Sequence, residues 1–239
     1  MKKMCSLMLS LFLVAVVIAG TSGGTTAEAA VKKEYLEISK NVVYYGQLKN
    51  GKPHGKGTMS WYQTKTYSGD WVDGKRSGLG KFVSRSTSEG TEITYDGAWK
   101  NDIKSGNGSL NTKIIRSDGS VQSHKIQFGQ FTNDKFTAGY SVLHVKDEPA
   151  YSFNYKDATM NLQVIGTNVK MKEAWKNGTF STIQFMKGKV MKHYAVAFNE
   201  NPSLVKQNKA TLKYLQGIQS QVNTHLIKFE SLAKRVPLA

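Results

Sequence analysis

The residues of this chain that could perform chemistry begin with three pairs of closely spaced glycines. They lie at Gly55-x-Gly57, Gly78-x-Gly80 and Gly106-x-Gly108, and phosphate-binding loops are also rich in glycine. None of the three has the third glycine of a dinucleotide fingerprint or the Gly-Lys-Ser/Thr ending of a P-loop. The spacing therefore favours a structural role for these glycines over phosphate binding.

The other candidates for catalysis or metal binding are isolated in the sequence. Ser203 and Lys206 have the spacing of a lysine-activated serine nucleophile, but the companion Ser-Asp-Asn and Lys-Thr-Gly motifs are missing. The five histidines include no pair at helical metal-ligand spacing, and the acids fall beside turns without a catalytic pair. The sequence therefore predicts a non-catalytic protein without metal or cofactor. An enzyme acting on cell-wall polymer is the remote alternative.

Cations form the remaining chemical feature. The formal net charge is +16, which favours polyanionic surroundings. Six cations flank turn signals and would line one margin of a stacked sheet as a basic ridge: Lys49, Lys52, Lys75, Arg76, Lys100 and Lys104. Such a ridge could hold anionic lipid or wall polymer through many individually weak contacts. Nucleic acid lacks a recognition motif here. The alternative is that lysine only keeps exposed sheet edges soluble and unpaired.

A short sequence motif that occurs three times must position these residues. It runs over Tyr44–Gly57, Tyr67–Gly80 and Tyr95–Gly108, with glycine two residues after the tyrosine and an apolar residue at four. A fixed-period motif is typical of a repeat architecture. The motif residues are Tyr44, Gly46, Gly55 and Gly57, then Tyr67, Gly69, Trp71, Gly78 and Gly80, then Tyr95, Gly97, Trp99, Gly106 and Gly108.

Each copy of the motif folds into a β-hairpin on this interpretation. Asn50-Gly51 and Asp73-Gly74 are strong signals for a two-residue type I′ turn. Folding the first copy about its turn pairs Leu48 with Pro53, Gly46 with Gly55 and Tyr44 with Gly57, so that a tyrosine ring covers a bare glycine. The gap between facing glycines would receive the tryptophan of the next copy. Because a single hairpin is only marginally stable, the copies must stack into one sheet.

These residues resemble the MORN repeat, the "membrane occupation and recognition nexus" unit. The third copy departs from the pattern at Asp102-Ile103, and a fourth, from Gln127 to Lys135, has Ala138 and Tyr140 where closing glycines are expected. The resemblance implies association with membranes or proteins. A protein–protein scaffold is accordingly the main alternative to polyanion binding. The repeat aromatics would be core, or else an open face that contacts sugar or lipid: Tyr44, Tyr67, Trp71, Tyr95 and Trp99.

The N-terminal residues read as a secretory signal peptide. A basic start is followed by an apolar run from Leu7 to Gly20 and by Ala27-Glu28-Ala29, a small-residue cleavage pattern. We expect cleavage after Ala29, with an uncleaved anchor as the alternative. Cys5 is the only cysteine and would leave with the signal, so the mature chain would contain no disulfide. An exported bacterial protein, secreted or bound to the cell envelope, fits this pattern best.

The predicted fold class is mainly β, a single-layer antiparallel meander of stacked hairpins with a C-terminal amphipathic helix. Its predicted segments are a signal peptide (1–29), a lead-in strand or short helix (30–43), the repeats (44–140), a degenerate meander that continues the sheet (141–200) and the helix (201–236). Asn201-Pro202 is a good helix start, and apolar residues then alternate at steps of three and four. We expect one helix to about Lys234, whose apolar stripe caps the sheet, lies on a membrane or forms a dimer.

Overall fold

The computed structural model describes residues 32–196 and 201–238. Their strands form one antiparallel sheet of thirteen, in which every strand pairs only with the strands before and after it in the chain. This confirms the predicted meander and places a strand in the lead-in segment. The predicted signal peptide and its cleavage site at Ala29 lie outside the described residues. Within the described residues, no helix is long and apolar enough to span a membrane.

The strands and helices have the following bounds. The sheet consists of β1 (Glu34–Ser39), β2 (Val42–Lys49), β3 (Lys52–Trp61), β4 (Lys65–Val72), β5 (Lys75–Ser86), β6 (Thr91–Lys100), β7 (Ile103–Ile115), β8 (Val121–Thr132), β9 (Lys135–Val145), β10 (Tyr151–Lys156), β11 (Met160–Gly166), β12 (Thr182–Lys187) and β13 (Val190–Ala195). The helices are α1 (Met171–Asn177), α2 (Pro202–Gly217) and α3 (Gln219–Ala233).

The register of the repeat hairpins differs from the predicted one by two residues. Leu48 pairs with Pro53 as expected, but Gly46 pairs with Gly57, and Tyr44 with Met59. The reason is a bulge between these pairs, in which the returning strand carries two extra residues around Gly55, whose φ is +61°. Equivalent irregularities follow Gly69 in the second copy and Gly97 in the third.

The corrected register brings eight glycines into one row across β2 to β9. Each is the direct cross-strand partner of the next: Gly46, Gly57, Gly69, Gly80, Gly97, Gly108, Gly129 and Gly139. The fourth copy therefore keeps a closing glycine, at Gly139. It was not recognised in the sequence because the fourth hairpin contains a shorter bulge, between Gln130 and Phe131.

The two faces of the sheet bury different partners. Because successive side chains of a strand point to opposite faces, Tyr95 and Thr94 lie on opposite sides. The face of Tyr95, here called the tyrosine face, carries the repeat aromatics. Thr94 is in register with Asn111 and, through it, with Ile126. Ile126 is fully buried in the cluster that the C-terminal helices form with the sheet, so this second face is called the helix face.

The C-terminal segment is two helices rather than the one that was predicted. The predicted start is confirmed, since the Asn201 side chain accepts a hydrogen bond from Ser203 N at 3.0 Å and Pro202 opens α2. Helix α2 ends at Gly217, a poor helix former, and Ile218 (φ −98°, ψ 13°) leaves helical geometry before α3 begins. The break lets α2 lie beside β13 while α3 crosses β9 and β10.

The predicted meander between residues 141 and 200 is interrupted by α1. The turn predicted at Asn177-Gly178 is a helix end, since Gly178 ends α1 in the left-handed conformation (φ +70°). The same dipeptide serves both purposes, since each needs a residue that tolerates positive φ. Trp175 of α1 is buried and its Nε1 donates to Leu215 O at 2.8 Å, so α1 anchors the C-terminal helices.

Candidate functional site

The three repeat tyrosines hold the glycine row in place. Their rings lie on Gly57, Gly80 and Gly108, each two residues along the partner strand from the direct pair. Each hydroxyl donates to the carbonyl three residues ahead: Tyr44 to Gln47 O at 2.8 Å, and Tyr67 to Asp70 O and Tyr95 to Ala98 O at 3.0 Å. Burial raises the pKa of Tyr95 to about 12, so its hydroxyl remains a donor.

The tryptophans join one repeat to the next. Trp71 packs edge-on against Tyr44 and Tyr67, with ring centroids 5.5 and 5.0 Å apart, and its Nε1 donates to Gly57 O at 3.0 Å. Trp99 repeats this arrangement with Tyr67, Tyr95 and Gly80 O. All five repeat aromatics are at most 6% exposed. They are core, and the alternative of an open aromatic face that contacts sugar or lipid is wrong.

The glycines that resembled phosphate loops are bulge positions. Gly55, Gly78 and Gly106 have positive φ and pair with Trp71, Trp99 and Phe131, respectively. In the first two bulges, the amide after the glycine is already used: Lys56 N donates to Gln47 Oε1 and Leu79 N to Asp70 Oδ2. Because a phosphate loop needs free backbone N–H groups, the structural interpretation of these glycines is supported.

The hairpin turns stack in a line at one end of the strands, and this line is here called the turn margin. It contains the turns of β2–β3, β4–β5, β6–β7 and β8–β9. Successive turns are joined by backbone hydrogen bonds from Gly74 N to Pro53 O (2.9 Å), Asp102 N to Arg76 O (3.0 Å) and Asp134 N to Lys104 O (3.1 Å). Neighbouring turns are two strands apart, or ~10 Å. The predicted cations are thus brought together at fixed spacing.

The six predicted cations divide into two groups. Lys49, Lys52, Lys75 and Lys100 are exposed at the turns. Arg76 and Lys104 are instead paired with Asp102 and Asp134, so they differ from the four exposed lysines.

The two packed cations each contact a buried ring and an aspartate of the following turn. The Arg76 guanidinium lies 4.3 Å from the Trp99 ring centroid, and its Nε donates to Asp102 Oδ1 at 3.0 Å. Lys104 Nζ lies 5.7 Å from the Tyr95 ring centroid and 3.8 Å from Asp134 Oδ1. These two side chains connect neighbouring turns instead of facing solvent.

Sequence reasoning missed the continuation of the exposed lysines beyond the third repeat. The turns β8–β9, β10–β11 and β12–β13 fall on the same side of the sheet, and their exposed lysines are Lys135, Lys156, Lys187 and Lys189. The signal was present in the sequence as lysine beside each turn. The turn side has these four lysines and the six predicted cations against four acids: Asp73, Asp102, Asp134 and Asp157. At its hairpin turns, the opposite side has five bases, Lys40, Lys65, Arg85, Arg116 and Lys146, against four acids, Glu89, Asp118, Asp147 and Glu148. The excess positive charge is therefore concentrated on one side.

Two of the histidines, His124 and His144, are direct cross-strand partners on β8 and β9, whereas His54 and His225 lie elsewhere. His54 Nδ1 accepts from Asp73 N at 3.4 Å in the turn margin, and His225 Nδ1 lies 2.9 Å from the Tyr140 hydroxyl under α3. His124 is 4% exposed, with Nδ1 3.3 Å from Pro237 O. Within the described residues, no three histidines, cysteines or acids are grouped so as to hold a metal ion.

Two histidines, the buried His124 and the half-buried His225, make stability depend on pH. Burial lowers the pKa of both His124 and His225, so the unfolded chain binds more protons than the folded chain in acid. Their contribution to stability is complete above the unfolded value of about 6.5 and is lost as the pH falls below it. We expect a lower urea midpoint at about pH 5 than at about pH 7.5, by up to ~1.4 kcal/mol per histidine per pH unit. The difference should shrink in His124→Asn/His225→Gln, and an equal drop in that variant would assign it to other groups.

The fold and the motif residues define an antiparallel β-hairpin repeat protein with short, stacked hairpins. Comparison with known families identifies these hairpins as MORN repeats, which match residues 44–63, 67–88 and 95–110. MORN repeat-containing protein 3 of Xenopus laevis is 43% identical over 68 residues, 28% of this chain and 29% of that protein. Alsin of Rattus norvegicus and of Homo sapiens is 35% identical over 123 residues, 44% of this chain but 7% of Alsin. The chain spans under a third of each relative.

Proposed function

We propose that this protein is an exported, non-catalytic binding module of the bacterial cell envelope, which holds anionic lipid or wall polymer along its turn margin. MORN repeats generally mediate binding to membrane lipids or proteins, and the class is generally non-catalytic. The observation that carries the proposal is the excess of exposed lysines over exposed acids at the turns on one side of the sheet. Export and the envelope location rest on the signal-peptide pattern of residues 1–29.

The geometry of the turn margin suits a linear polyanion. Exposed lysines recur at each turn, ~10 Å from those of the next, which is close to the Debye length of ~8–10 Å at physiological ionic strength. Each ammonium therefore contributes little by itself, and affinity comes from many simultaneous contacts. Since Arg76 and Lys104 are already paired, the contacts belong to the exposed lysines, among them Lys49, Lys75 and Lys100.

Charge reversal at the turn margin tests the proposal. We expect the mature protein to bind phosphatidylglycerol vesicles and soluble teichoic acid at low salt, and Lys49→Glu/Lys75→Glu/Lys100→Glu to lose at least about tenfold in affinity. Cosedimentation with the vesicles and calorimetric titration of the polymer distinguish the two sources of anion.

The matched control for charge reversal is Lys40→Glu/Lys65→Glu/Lys125→Glu. It changes the net charge equally at exposed positions away from the turn margin. We expect this control to bind nearly as well as the wild type. Equal losses in both triple variants, or no binding of the wild type at low salt, would contradict the proposal.

A protein scaffold is the second candidate function. The structure changes which residues would contact the partner. Dimerisation through the C-terminal stripe conflicts with the burial of Leu215, Val222 and Leu226 against the same chain. The observation that favours a scaffold is the exposure of Leu204 (42%) and Val205 (48%) on α2. A scaffold predicts a defined oligomer or a captured protein that Leu204→Asp/Val205→Asp weakens; a monomer without a captured partner at high concentration would remove this candidate.

A further inference from the structure

A polar trough lies on the helix face, where the repeats meet the C-terminal tail. Its floor consists of three rows of cross-strand neighbours on β5 to β8. The rows are Lys81, Asp96, Ser109 and Phe128; then Thr94 and Asn111; then Glu92, Lys113 and His124. Adjacent rows are two residues apart along each strand, so the three rows extend over ~14 Å. The trough is thus longer than a single monosaccharide ring.

The chain segment after α3 forms one wall. Arg235 Nη2 donates to Ser109 Oγ at 3.4 Å, and Pro237 O lies 3.3 Å from His124 Nδ1. Two adjoining cavities, of about 370 and 290 Å³, share Thr94 and Asn111 in their linings. Strand residues and the C-terminal tail thus build a single continuous depression.

His124 lines this trough and has a buried ring nitrogen without a hydrogen-bond partner among the described residues. Because a carbonyl oxygen only accepts, the contact with Pro237 O places the imidazole proton on Nδ1 and leaves a lone pair on Nε2. Nε2 is buried and has no hydrogen-bond partner among the described residues. His124 is 4% exposed and lines the smaller cavity. A buried acceptor without a partner is costly, so this atom favours a ligand that donates a hydroxyl proton.

The trough lining has two carboxylates, Glu92 and Asp96, against three cations, Lys81, Lys113 and Arg235, so its charges nearly balance. Lys113 Nζ lies 3.7 Å from Glu92 Oε2, and Lys81 is the cross-strand neighbour of Asp96. An anionic ligand would meet both carboxylates, and a cationic one both lysines and Arg235. The balance favours an uncharged ligand with many donors and acceptors.

An aromatic ring adds an apolar contact. Phe128 is 38% exposed and lines the larger cavity, while Lys228 Nζ lies 3.7 Å from its ring centroid. A ring surrounded by hydroxyl, amide and carboxylate groups is suited to a molecule that presents C–H bonds on one face and hydroxyls around its rim. Sugar rings have this character.

We propose that the trough binds a neutral oligosaccharide, with a sugar ring against Phe128 and a sugar hydroxyl donating to His124 Nε2. Asn111 and Thr94, between these two ends, supply further donors and acceptors. The site is independent of the turn margin, because it lies on the helix face and each of its two lysines lies beside a carboxylate. Binding there is accordingly insensitive to salt, whereas binding at the turn margin is not.

The test titrates the mature protein with chitohexaose, cellohexaose and maltohexaose while NMR follows the His124 imidazole. We expect saturable shifts of its resonances with at least one hexasaccharide, with a dissociation constant in the millimolar range. Asn111→Ala and Asp96→Ala, at solvent-accessible positions, should each weaken binding about three- to tenfold. Lys75→Glu should leave it unchanged, which separates this site from the turn margin.

Three results would overturn the proposal. They are the absence of saturable shifts with all three hexasaccharides, binding that neither Asn111→Ala nor Asp96→Ala weakens, and binding that high salt abolishes. None of these outcomes bears on binding at the turn margin.

Discussion

Alanine in place of Gly69 is expected to destabilise the protein by about 3 kcal/mol or more, and alanine in place of Gly80 by about 1–3 kcal/mol. Both glycines belong to the row across β2 to β9, but an added Cβ would meet different neighbours. At Gly69 it would meet backbone, with Leu79 O at 2.5 Å and Gly80 Cα also in contact. At Gly80 it would meet the Tyr67 ring, with Cε2 at 2.5 Å. A side chain can move and a paired strand cannot, which sets the order of the two effects.

A double-mutant cycle with Tyr67→Ala separates the two clashes. Removing the ring should relieve much of the cost of Gly80→Ala, giving a coupling energy of about 1–3 kcal/mol. It should relieve less of the cost of Gly69→Ala, because the backbone contact remains. Urea denaturation measures the three single and the two double variants.

The control for the glycine substitutions is Gly217→Ala. It places a methyl in open space at the end of α2 and should be neutral or stabilise by about 0.5–1 kcal/mol. A Gly80→Ala protein as stable as the wild type would contradict the ring-on-glycine packing.

Replacing Trp71 by alanine is expected to cost about 3–5 kcal/mol. The indole is 2% exposed and lies between Tyr44 and Tyr67, so its removal leaves a cavity and takes an edge-on partner from both rings. It also leaves Gly57 O without the indole donor. Trp71→Phe keeps a ring in place but loses that donor, and it should cost less than alanine, with about 1 kcal/mol from the hydrogen bond.

Amide hydrogen exchange shows where the Trp71 effect falls. Because each repeat contacts mainly its neighbours, protection should fall most in β2 to β5 and least in β10 to β13. Tyr45→Ala is the control, since Tyr45 is 54% exposed on the helix face and should change stability by less than about 0.5 kcal/mol. A uniform loss of protection in Trp71→Ala would show that the sheet unfolds as one unit.

Local signals in the sequence are sufficient for the hairpins but not for their register. The Asn50-Gly51 turn fixes the two residue pairs next to it, Lys49 with Lys52 and Leu48 with Pro53. The pairing beyond it depends on whether Gly55 extends the strand or forms a bulge, and a glycine permits both. Stacking on the next repeat decides, because Gly55 pairs with Trp71 of that repeat.

The ends of helices were ambiguous for a related reason. Asn177-Gly178 reads equally as a hairpin turn or a helix end, and the buried contact of Trp175 with Leu215 O that favours the helix comes from a distant segment. The break at Gly217 likewise depends on what α2 and α3 pack against. A glycine in an apolar pattern shows where a helix can break, but tertiary contacts decide whether it does.

The candidate site was partly predictable from the sequence. Exposed lysines beside turns follow from the repeat and need no tertiary information. The pairing of Arg76 with Asp102 and of Lys104 with Asp134 depends on stacking between turns 26 and 30 residues apart, so sequence could not separate these two cations from the others. The trough could not be predicted from the sequence, because it depends on the contact of His124 with Pro237, which are 113 residues apart in the chain.

The salt dependence of teichoic acid binding tests most directly whether the turn margin is the polyanion surface. The slope of log Kobs against log salt concentration should become shallower by about three in Lys49→Gln/Lys75→Gln/Lys100→Gln, since each lost ammonium contact removes about one. The slope should be unchanged in Lys40→Gln/Lys65→Gln/Lys125→Gln. A wild-type slope in the first variant, or an equal reduction in both, would show that anions are bound elsewhere on the chain.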